Sequence, residues 1–239
     1  MNKIAEDIIN AHGGLHAWLK FRQVSATLDQ GGALWGLKGK AGILDHTTVT
    51  VATDVQWASH APFGTVAARS DFTTDRIALL DGNDEVIAAL ENPRESFAGH
   101  ALDTPWTDLQ LAFFAGCALW TYLNTPFVLA WEGVECEDAG TWEENGETWR
   151  KVNVRYPASL EVFSKAQALY IGPDGLVRRL DYDVEIAGNT PGAHYVSGYT
   201  TVEGIKFPTK RVIYPRQPDG QRMAEPLVVS IELSHITLS

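Results

Sequence analysis

The sequence has 239 residues, of which 45% are hydrophobic and 21% are charged, and its formal net charge is −11. This composition is that of a globular protein and excludes a disordered chain. Binding to a nucleic-acid backbone depends on clustered Lys and Arg, which this acidic chain lacks, so we expect no nucleic-acid partner. We predict one domain over residues 1–239, because β barrels and sandwiches of this length commonly form a single unit.

The chain begins with a helical pattern and continues with strands. Residues 3–20 place their large apolar side chains on one broad face, and Gly13-Gly14 breaks this helix midway. From Val24 to Asp84, short alternating runs separated by Gly, Asp and Asn predict antiparallel strands. These runs include Leu34–Lys40 and Thr48–Val51.

Turn residues predict that most of the strands are joined as hairpins. Asp81-Gly82-Asn83-Asp84 is the clearest early signal, because such residues tolerate positive φ. Pro173-Asp174-Gly175, Glu203-Gly204 and Pro218-Asp219-Gly220 join neighbouring runs in the second half, which predicts local antiparallel pairing. The predicted strands of that half are 148–156, 168–172, 176–186, 194–202, 205–214 and 226–238. We assign the acidic residues that precede them to a solvated loop, namely Glu135, Glu137, Asp138, Glu143 and Glu144.

An apolar segment, Pro105 to Leu129, separates the two β regions. We predict a helix here with Thr104 as the N-cap, Pro105 in the first turn and an end at Asn124-Thr125-Pro126. Steps of three and four residues form a stripe of Trp106, Leu109, Phe113, Cys117 and Trp120. Such a stripe is typical of a packed core, and it also suits the wall of an apolar ligand pocket. We expect it to face the sheet, with the helix acting as a plug or lid.

The N-terminus and the two cysteines indicate the compartment. Glu6 and Asp7 stand where a secretory signal needs an uninterrupted apolar run. Cys117 and Cys136 suit a reducing environment, in which thiols persist as small buried hydrophobes. We therefore predict a cytoplasmic protein. Polar residues and a proline interrupt Leu109–Trp131, so we expect no integral insertion into a membrane.

Three short pieces of the sequence carry a resemblance to a known family. They are Ala11-His12-Gly13-Gly14-Leu15-His16-Ala17-Trp18 ahead of Val24, Gly175-Leu176-Val177-Arg178-Arg179, and Val202-Glu203-Gly204-Ile205-Lys206-Phe207-Pro208-Thr209-Lys210. Together they resemble the superfamily of the outer-membrane lipoprotein carriers LolA and LolB. The resemblance implies a mainly β (α+β) fold, in which one antiparallel sheet curves into a half-open β barrel with the N-terminal and central helices in its concave face.

The resemblance also has functional implications. It implies a concave cavity that accepts acyl chains or other apolar molecules. The missing export signal departs from the periplasmic carriers. The same scaffold is known for a pigment-pathway enzyme, so the resemblance leaves both carrier and catalyst open.

Histidines are the candidate acid–base groups. His100 lies in a turn-rich segment before the central helix, and His194 stands beside Tyr195 at the start of a predicted strand. Either one suits a general base or a ligand-orienting group at the mouth of a cavity, although a lone histidine is more often simply hydrogen-bonded.

The predicted strand 176–186 supplies candidate groups for a polar head group. Alternation sends Arg178 and Tyr182 to one face of the sheet. If that face lines the concavity, these two side chains are candidates for binding the polar head group of a ligand. The same alternation sends Arg179, Asp181 and Asp183 to the other face, where cross-strand ion pairs with solvent access account for them. The full set of candidate ligand-binding residues is Phe97, His100, Trp106, Phe113, Trp120, Arg178 and Tyr182.

Motifs for a metal, a nucleotide or a covalent nucleophile are missing. Only His12 and His16 have helical i, i+4 spacing, and the glycine pair between them argues against a zinc site. Gly31-Gly32 lacks the strand-to-helix context of a dinucleotide fingerprint, and no serine lies in a nucleophile elbow. We expect no metal and no cofactor. The oligomeric state is left open.

Three functions remain open. The first is binding of an apolar or amphipathic small molecule, lipid-like or an aromatic metabolite, in the half-barrel. The second is a cofactor-free enzyme that acts on a hydrophobic intermediate in the same cavity, with His100 or His194 as acid or base. The third is a structural or protein-interaction module with an exposed apolar groove. A catalyst is expected to bury an ionisable group in the cavity, whereas a binding cavity is expected to be apolar throughout.

Overall fold

The computed structural model describes residues 1–239, which form one antiparallel sheet of 13 strands and four α-helices. The strands are β1 (Gln23–Gly31), β2 (Thr47–Ala52), β3 (Ala58–Ala61), β4 (Arg69–Phe72), β5 (Arg76–Leu80), β6 (Val86–Glu91), β7 (Glu135–Glu144), β8 (Glu147–Arg155), β9 (Ala166–Ile171), β10 (Val177–Val184), β11 (Thr190–Val202), β12 (Ile205–Pro215) and β13 (Val229–Leu238). The α-helices are α1 (Lys3–Ala11), α2 (Leu15–Trp18), α3 (Ala33–Leu37) and α4 (Asp108–Asn124), and short 3₁₀ helices span Pro93–Phe97, Phe127–Ala130 and Glu185–Ala187. No helix has the length and hydropathy that crossing a bilayer would require.

Two meanders meet at the centre of the sheet. The strand order is β6-β5-β4-β3-β2-β1-β13-β12-β11-β10-β9-β8-β7, so β1–β6 form an N-terminal meander and β7–β13 form a C-terminal meander. They join where β1 pairs with β13, with Val24 opposite Leu238 and Gly31 opposite Ser230. The edge strands β6 and β7 do not pair, so the sheet is not closed. The predicted fold class, a mainly β sheet curved into a half-open barrel, is confirmed.

The helix α4 lies in the chain segment that connects the two edge strands. The chain leaves β6 at Glu91 and must reach β7 at Glu135 on the opposite edge, and α4 crosses the concave face on the way. The helix packs against β2–β6. At Gly116 a Cβ atom would lie 2.6 Å from the Phe72 side chain, so this close approach requires glycine. The helix therefore covers the half of the concave face that belongs to the N-terminal meander.

The start of α4 differs from the sequence prediction. The N-cap is Thr107, not Thr104, because the Thr107 hydroxyl accepts a hydrogen bond from the Gln110 backbone N–H. The Gln110 side chain in turn accepts from the Thr107 backbone N–H, which completes a capping box. The Thr104 hydroxyl accepts from the Ala101 backbone N–H in the preceding turn, which leaves Pro105 outside the helix. The predicted end at Asn124 is confirmed.

Two faces of α4 have different neighbours. Phe113 packs on Phe72 of β4, with 5.6 Å between ring centroids. The Trp120 indole N–H donates to the carbonyl oxygens of Ala52 and Val55 at 3.0 and 2.8 Å. These residues of the predicted stripe therefore face the N-terminal meander. A second row, made of Phe114, Ala118 and Tyr122, faces β10–β13.

Two predicted segments are corrected by the structure. Leu34–Lys40, predicted as a strand, overlaps the helix α3 (Ala33–Leu37), and the Trp35 indole N–H donates to the Gly31 carbonyl at 3.0 Å. The acidic segment 135–144, predicted as a loop, forms the edge strand β7, where Asp138 pairs with Arg150 of β8. Charges along an edge strand keep it from pairing with another chain, which explains their density there. The predicted break at Gly13-Gly14, by contrast, is confirmed, because it separates α1 from α2.

A charged cluster is buried on the outer face of the C-terminal meander. Arg179 is 0% exposed and forms ion pairs with Asp181 at 2.7 Å and Glu144 at 2.9 Å. Its guanidinium also donates to the carbonyl of Gly220, in the loop between β12 and β13. Aromatic rings surround it, namely Trp142, Tyr170 and Tyr195. The prediction of solvent access was wrong for Arg179 and Asp181, because the loop and the rings cover them, whereas Asp183 is exposed.

Candidate functional site

An apolar cavity of about 210 Å³ lies between α4, α3 and the strands β10–β13. Of its 20 lining residues 15 are hydrophobic, and none is Asp, Glu, His, Lys or Arg. Aromatic side chains form much of its wall, namely Trp106, Phe114, Tyr122, Phe163, Tyr182 and Tyr214. The cavity exists because α4 packs against the N-terminal meander and leaves this part of the C-terminal meander uncovered.

The rim of the cavity is also apolar. Leu37 of α3 is 46% exposed, and Pro191 and Pro226 are exposed as well. Two further voids of about 20 and 30 Å³ share Tyr122 with the cavity, so the uncovered space continues along α4. An apolar molecule that enters at this rim meets no charged side chain on the cavity wall.

A larger depression elsewhere has a different character. It measures about 540 Å³ and is lined by residues of β7–β10, many of them charged. Several of these charges pair with one another, as Arg216 does with Asp183 at 2.5 Å, and Glu135, Arg155 and Asp183 are exposed. Ion pairs with solvent access account for this surface, so we place the candidate site in the apolar cavity.

Four buried polar side chains form a hydrogen-bonded chain at the wall of the cavity. The hydroxyl oxygens of Tyr122 on α4 and Tyr182 on β10 are 2.9 Å apart. The Tyr182 hydroxyl lies 3.2 Å from Nδ1 of His194 on β11, and His194 Nε2 lies 3.5 Å from a guanidinium nitrogen of Arg211 on β12. The two tyrosines line the cavity, whereas His194 and Arg211 lie behind them.

Arg211 is a buried cation without a carboxylate partner. It is 2% exposed, and its guanidinium donates to the Tyr122 carbonyl oxygen at 2.9 Å and lies 5.1 Å from the Tyr122 ring centroid. Burial lowers the pKa of His194 well below its ordinary value, and the nearby positive charge of Arg211 lowers this pKa further. Burial raises the pKa of Tyr122 and of Tyr182. At pH 7, therefore, the imidazole is neutral and both phenols keep their protons.

The fold is similar in its overall course to that of a solved structure. A LolA superfamily protein from Nitrosomonas europaea aligns with a TM-score of 0.50 and 10% sequence identity, over 98% of this chain and 93% of that chain. The fold is LolA-like. This confirms the resemblance in fold that the three sequence pieces indicated, and at this identity the likeness extends to the fold alone.

Two further solved structures align over nearly the whole chain. An outer membrane lipoprotein-sorting protein domain from Vibrio parahaemolyticus has a TM-score of 0.48 at 9% identity, over 99% of this chain and 91% of that chain. A DUF1329 family protein from Desulfovibrio piger has a TM-score of 0.47 at 10% identity, over 99% and 92% of the two chains. No protein-family model matches the sequence, and no curated protein matches it.

Trp106 and Tyr182 are the two sequence-predicted ligand-binding residues that line the cavity of this LolA-like half-barrel. Trp106 is 4% exposed, and its indole N–H has no hydrogen-bond partner. Nζ of the buried Lys38 lies 4.4 Å from the Trp106 ring centroid and donates to the backbone carbonyls of Ala101 and Thr104. Trp106 therefore adds an unpaired donor to a wall whose other polar side-chain groups are hydroxyls.

The other predicted site residues do not line the cavity. Phe97, Phe113 and Trp120 belong to the packed core. His100 packs edge-on against Phe97, with 5.5 Å between ring centroids, and does not line the cavity. Arg178 pairs with Asp174 at 2.9 Å outside it. No three His, Cys, Asp or Glu side chains in the structure are grouped closely enough to hold a metal ion.

Sequence reasoning missed Tyr122, Phe114 and Arg211, although each left a signal. Phe114, Ala118 and Tyr122 recur every four residues and form a second stripe beside the one that we selected. In β12, Arg211 alternates in phase with the buried Phe207 and Ile213, so a charge on an apolar face was visible in the sequence. A buried charge of this kind is a candidate functional group in its own right.

Another buried histidine makes stability depend on pH. His60 of β3 is 0% exposed, neither of its ring nitrogens has a hydrogen-bond partner, and burial lowers its pKa from 6.5 to about 4. The unfolded chain therefore takes up a proton at this residue near pH 6.5, whereas the folded chain does so only near pH 4. The contribution of His60 to stability is complete above pH 6.5 and is lost as the pH falls to 4. The free energy of unfolding falls by up to about 3 kcal/mol over this range.

We expect the replacement His60→Leu to weaken the loss of stability in acid. Urea denaturation at pH 7 and at pH 4.5 gives the free energy of unfolding, and the difference between the two values should be smaller in the variant than in the wild type. His16 is exposed, so His16→Gln serves as the control and should keep the wild-type difference. Equal differences in His60→Leu and the wild type would contradict the assignment.

Proposed function

We propose that the protein binds a small apolar or amphipathic molecule in the cavity between α4 and β10–β13. The observation that carries this proposal is a preformed space of about 210 Å³ whose wall is mostly hydrophobic and carries no charged side chain. Small molecules bind in preformed apolar clefts that have a few polar groups for orientation. The hydroxyls of Tyr122 and Tyr182 would supply those polar groups.

The size of the cavity limits the ligand. Sites for drug-sized molecules measure about 300–1,000 Å³, so the enclosed part of this ligand is smaller than such a molecule. A single-ring compound fits this description, as does one end of an alkyl chain that continues past the rim at Leu37 and Pro226. The aromatic wall favours either one through apolar contact area.

The geometry supports binding better than acid–base catalysis. A general acid or base must come within about 2.6–3.2 Å of the proton that it transfers. Neither His100 nor His194 lines the cavity, and no carboxylate does. A ligand in the cavity would contact Tyr182 before His194, because the hydroxyl of Tyr182 stands between them.

Mass spectrometry of organic extracts from the purified native protein tests the proposal. A recurring small molecule in the wild-type extract is the expected result. Val184 is a half-buried wall residue, and Val184→Phe would place extra volume in the cavity at a cost to binding of about 1–3 kcal/mol. The amount of recovered ligand per protein should therefore fall about tenfold.

The matched control is Val86→Phe, which adds the same volume at an exposed position of β6. It should leave the recovered amount unchanged. An empty wild-type extract contradicts the proposal, and so does an equal amount of ligand from Val184→Phe.

A further inference from the structure

The direction of the hydrogen-bonded chain at the cavity wall follows from the chemistry of its members. An arginine side chain only donates, so the guanidinium of Arg211 donates to Nε2 of His194. Nε2 is then the unprotonated nitrogen of a neutral ring, and the ring proton is on Nδ1. Nδ1 donates to the hydroxyl oxygen of Tyr182. The Tyr182 oxygen is therefore an acceptor toward His194, and its own proton must point elsewhere.

The tyrosine pair has one proton more than the protein can accept. Tyr122 and Tyr182 each carry one O–H donor, and their 2.9 Å contact uses one of the two. If Tyr182 donates to Tyr122, the Tyr122 proton is left over, and in the reverse order the Tyr182 proton is left over. No other protein acceptor lies within hydrogen-bond distance of either hydroxyl. Both residues line the cavity, so the unused O–H belongs to a residue of its wall.

A second unpaired donor belongs to another residue of the same wall. The indole N–H of Trp106 is buried and has no partner. Buried donors in native proteins are nearly always paired, and leaving one unpaired is unfavourable. The residues of the cavity wall thus carry two unused donors and no charged group, which is the pattern expected where a ligand brings an acceptor.

We infer that the cavity selects apolar molecules that carry a carbonyl-type oxygen, which accepts the spare O–H of the Tyr122–Tyr182 pair. The inference rests on the proposed function and narrows its ligand class. A pure hydrocarbon of the same shape fills the space but leaves the hydroxyl proton unpaired, whereas a ketone, ester or carboxyl oxygen pairs it. His194 and Arg211 are positioning residues, because they set the direction of the chain without contacting the ligand.

The test compares two probes that differ at one group. Acetophenone and α-methylstyrene have nearly the same shape, and a C=O in the first replaces a C=CH₂ in the second. Titrations of the wild-type protein followed by NMR should give a dissociation constant about fivefold lower for acetophenone than for α-methylstyrene. This difference corresponds to the contribution of one hydrogen bond between neutral groups.

Variants of the pair give a result that loss of packing alone would not. Tyr122→Phe leaves the Tyr182 proton free, and Tyr182→Phe leaves the Tyr122 proton free, so each single variant should keep a preference for acetophenone. The double variant removes both hydroxyls, and its preference should fall to about twofold or less. Tyr156→Phe is the matched control, because the Tyr156 hydroxyl is buried, unpaired and outside the cavity wall. It should keep the wild-type ratio.

The outcomes separate this inference from the proposed function. If both probes bind the wild type equally well, or if the double variant keeps the full preference, the inference is overturned while the proposed function stands. If neither probe binds and native extracts are empty, the proposed function fails. Nitrogen NMR of labelled histidine supplies a check without any variant: His194 should show the Nδ1–H tautomer, and the Nε2–H tautomer would overturn the proton count.

Discussion

Replacing Arg179 by Met is expected to lower the free energy of unfolding by about 3–5 kcal/mol. The guanidinium is fully buried, and its loss leaves the Glu144 carboxylate without its cation. The Asp181 carboxylate keeps only the longer contact with Arg216, at 3.7 Å. The two carboxylate side chains are 10% and 8% exposed. Removing one partner of a buried ion pair is costly because the remaining charge stays away from water. The loop at Gly220 also loses the donor that holds its carbonyl. Urea denaturation measures the effect as a shift in the midpoint.

Arg178→Met is the matched control for this prediction. Arg178 adjoins Arg179 in the chain but is partly exposed, and it pairs with Asp174 and Glu147 at 2.9 and 3.7 Å. Exposed ion pairs contribute about 0–1 kcal/mol, so this variant should remain close to the wild type. If Arg179→Met costs no more stability than Arg178→Met, the buried cluster does not have the role assigned to it.

Trp120→Ala is expected to lower the free energy of unfolding by about 3–5 kcal/mol as well, through a different mechanism. Trp120 is fully buried in α4 and packs edge-on against Trp131, with 5.1 Å between ring centroids. Truncation leaves a void beneath the helix and removes the indole N–H from the carbonyls of Ala52 and Val55. Thermal or urea unfolding gives the magnitude.

Trp120→Phe divides this effect into two parts. The phenyl ring keeps most of the buried volume but lacks the N–H. Both carbonyls keep another donor, since the Asn124 side chain donates to Ala52 and the Trp57 backbone N–H donates to Val55. The cost of Trp120→Phe should therefore be that of the lost indole hydrogen bond, about 0.5–1.5 kcal/mol. The prediction would be contradicted if Trp120→Ala were no more destabilising than Trp120→Phe, since the packing of the ring would then contribute nothing.

The parts of the fold that local sequence signals specify were predictable. Strand alternation and turn residues such as Pro173-Asp174-Gly175 located the hairpins of the C-terminal meander, because the neighbours that pair there are close in sequence. The start of α4 was misplaced because Thr104 and Thr107 are both acceptable N-caps, and only Thr107 has a glutamine three residues later. In α3, apolar residues separated by Gly36 fit a strand and a helical turn equally well.

The candidate site was harder to predict because it depends on contacts between distant parts of the chain. Two apolar stripes run along α4, and the sequence does not say which one faces the N-terminal meander. The strand order determines which stripe faces the N-terminal meander. As a result, Tyr122 lies on the cavity wall and Trp120 does not. The burial of Arg179 likewise depends on a loop that lies 41 residues further along the chain.

The pairing of β1 with β13 has a consequence for how the chain is made. Val24 and Leu238 are partners, so the two halves of the sheet join only after all the residues between them have left the ribosome. Until the ten residues of β13 emerge, β1 and β12 each present an unpaired edge that another chain could use as a template. Aggregation during synthesis should therefore depend on β13, and a deletion that removes this strand should send nascent chains into inclusion bodies.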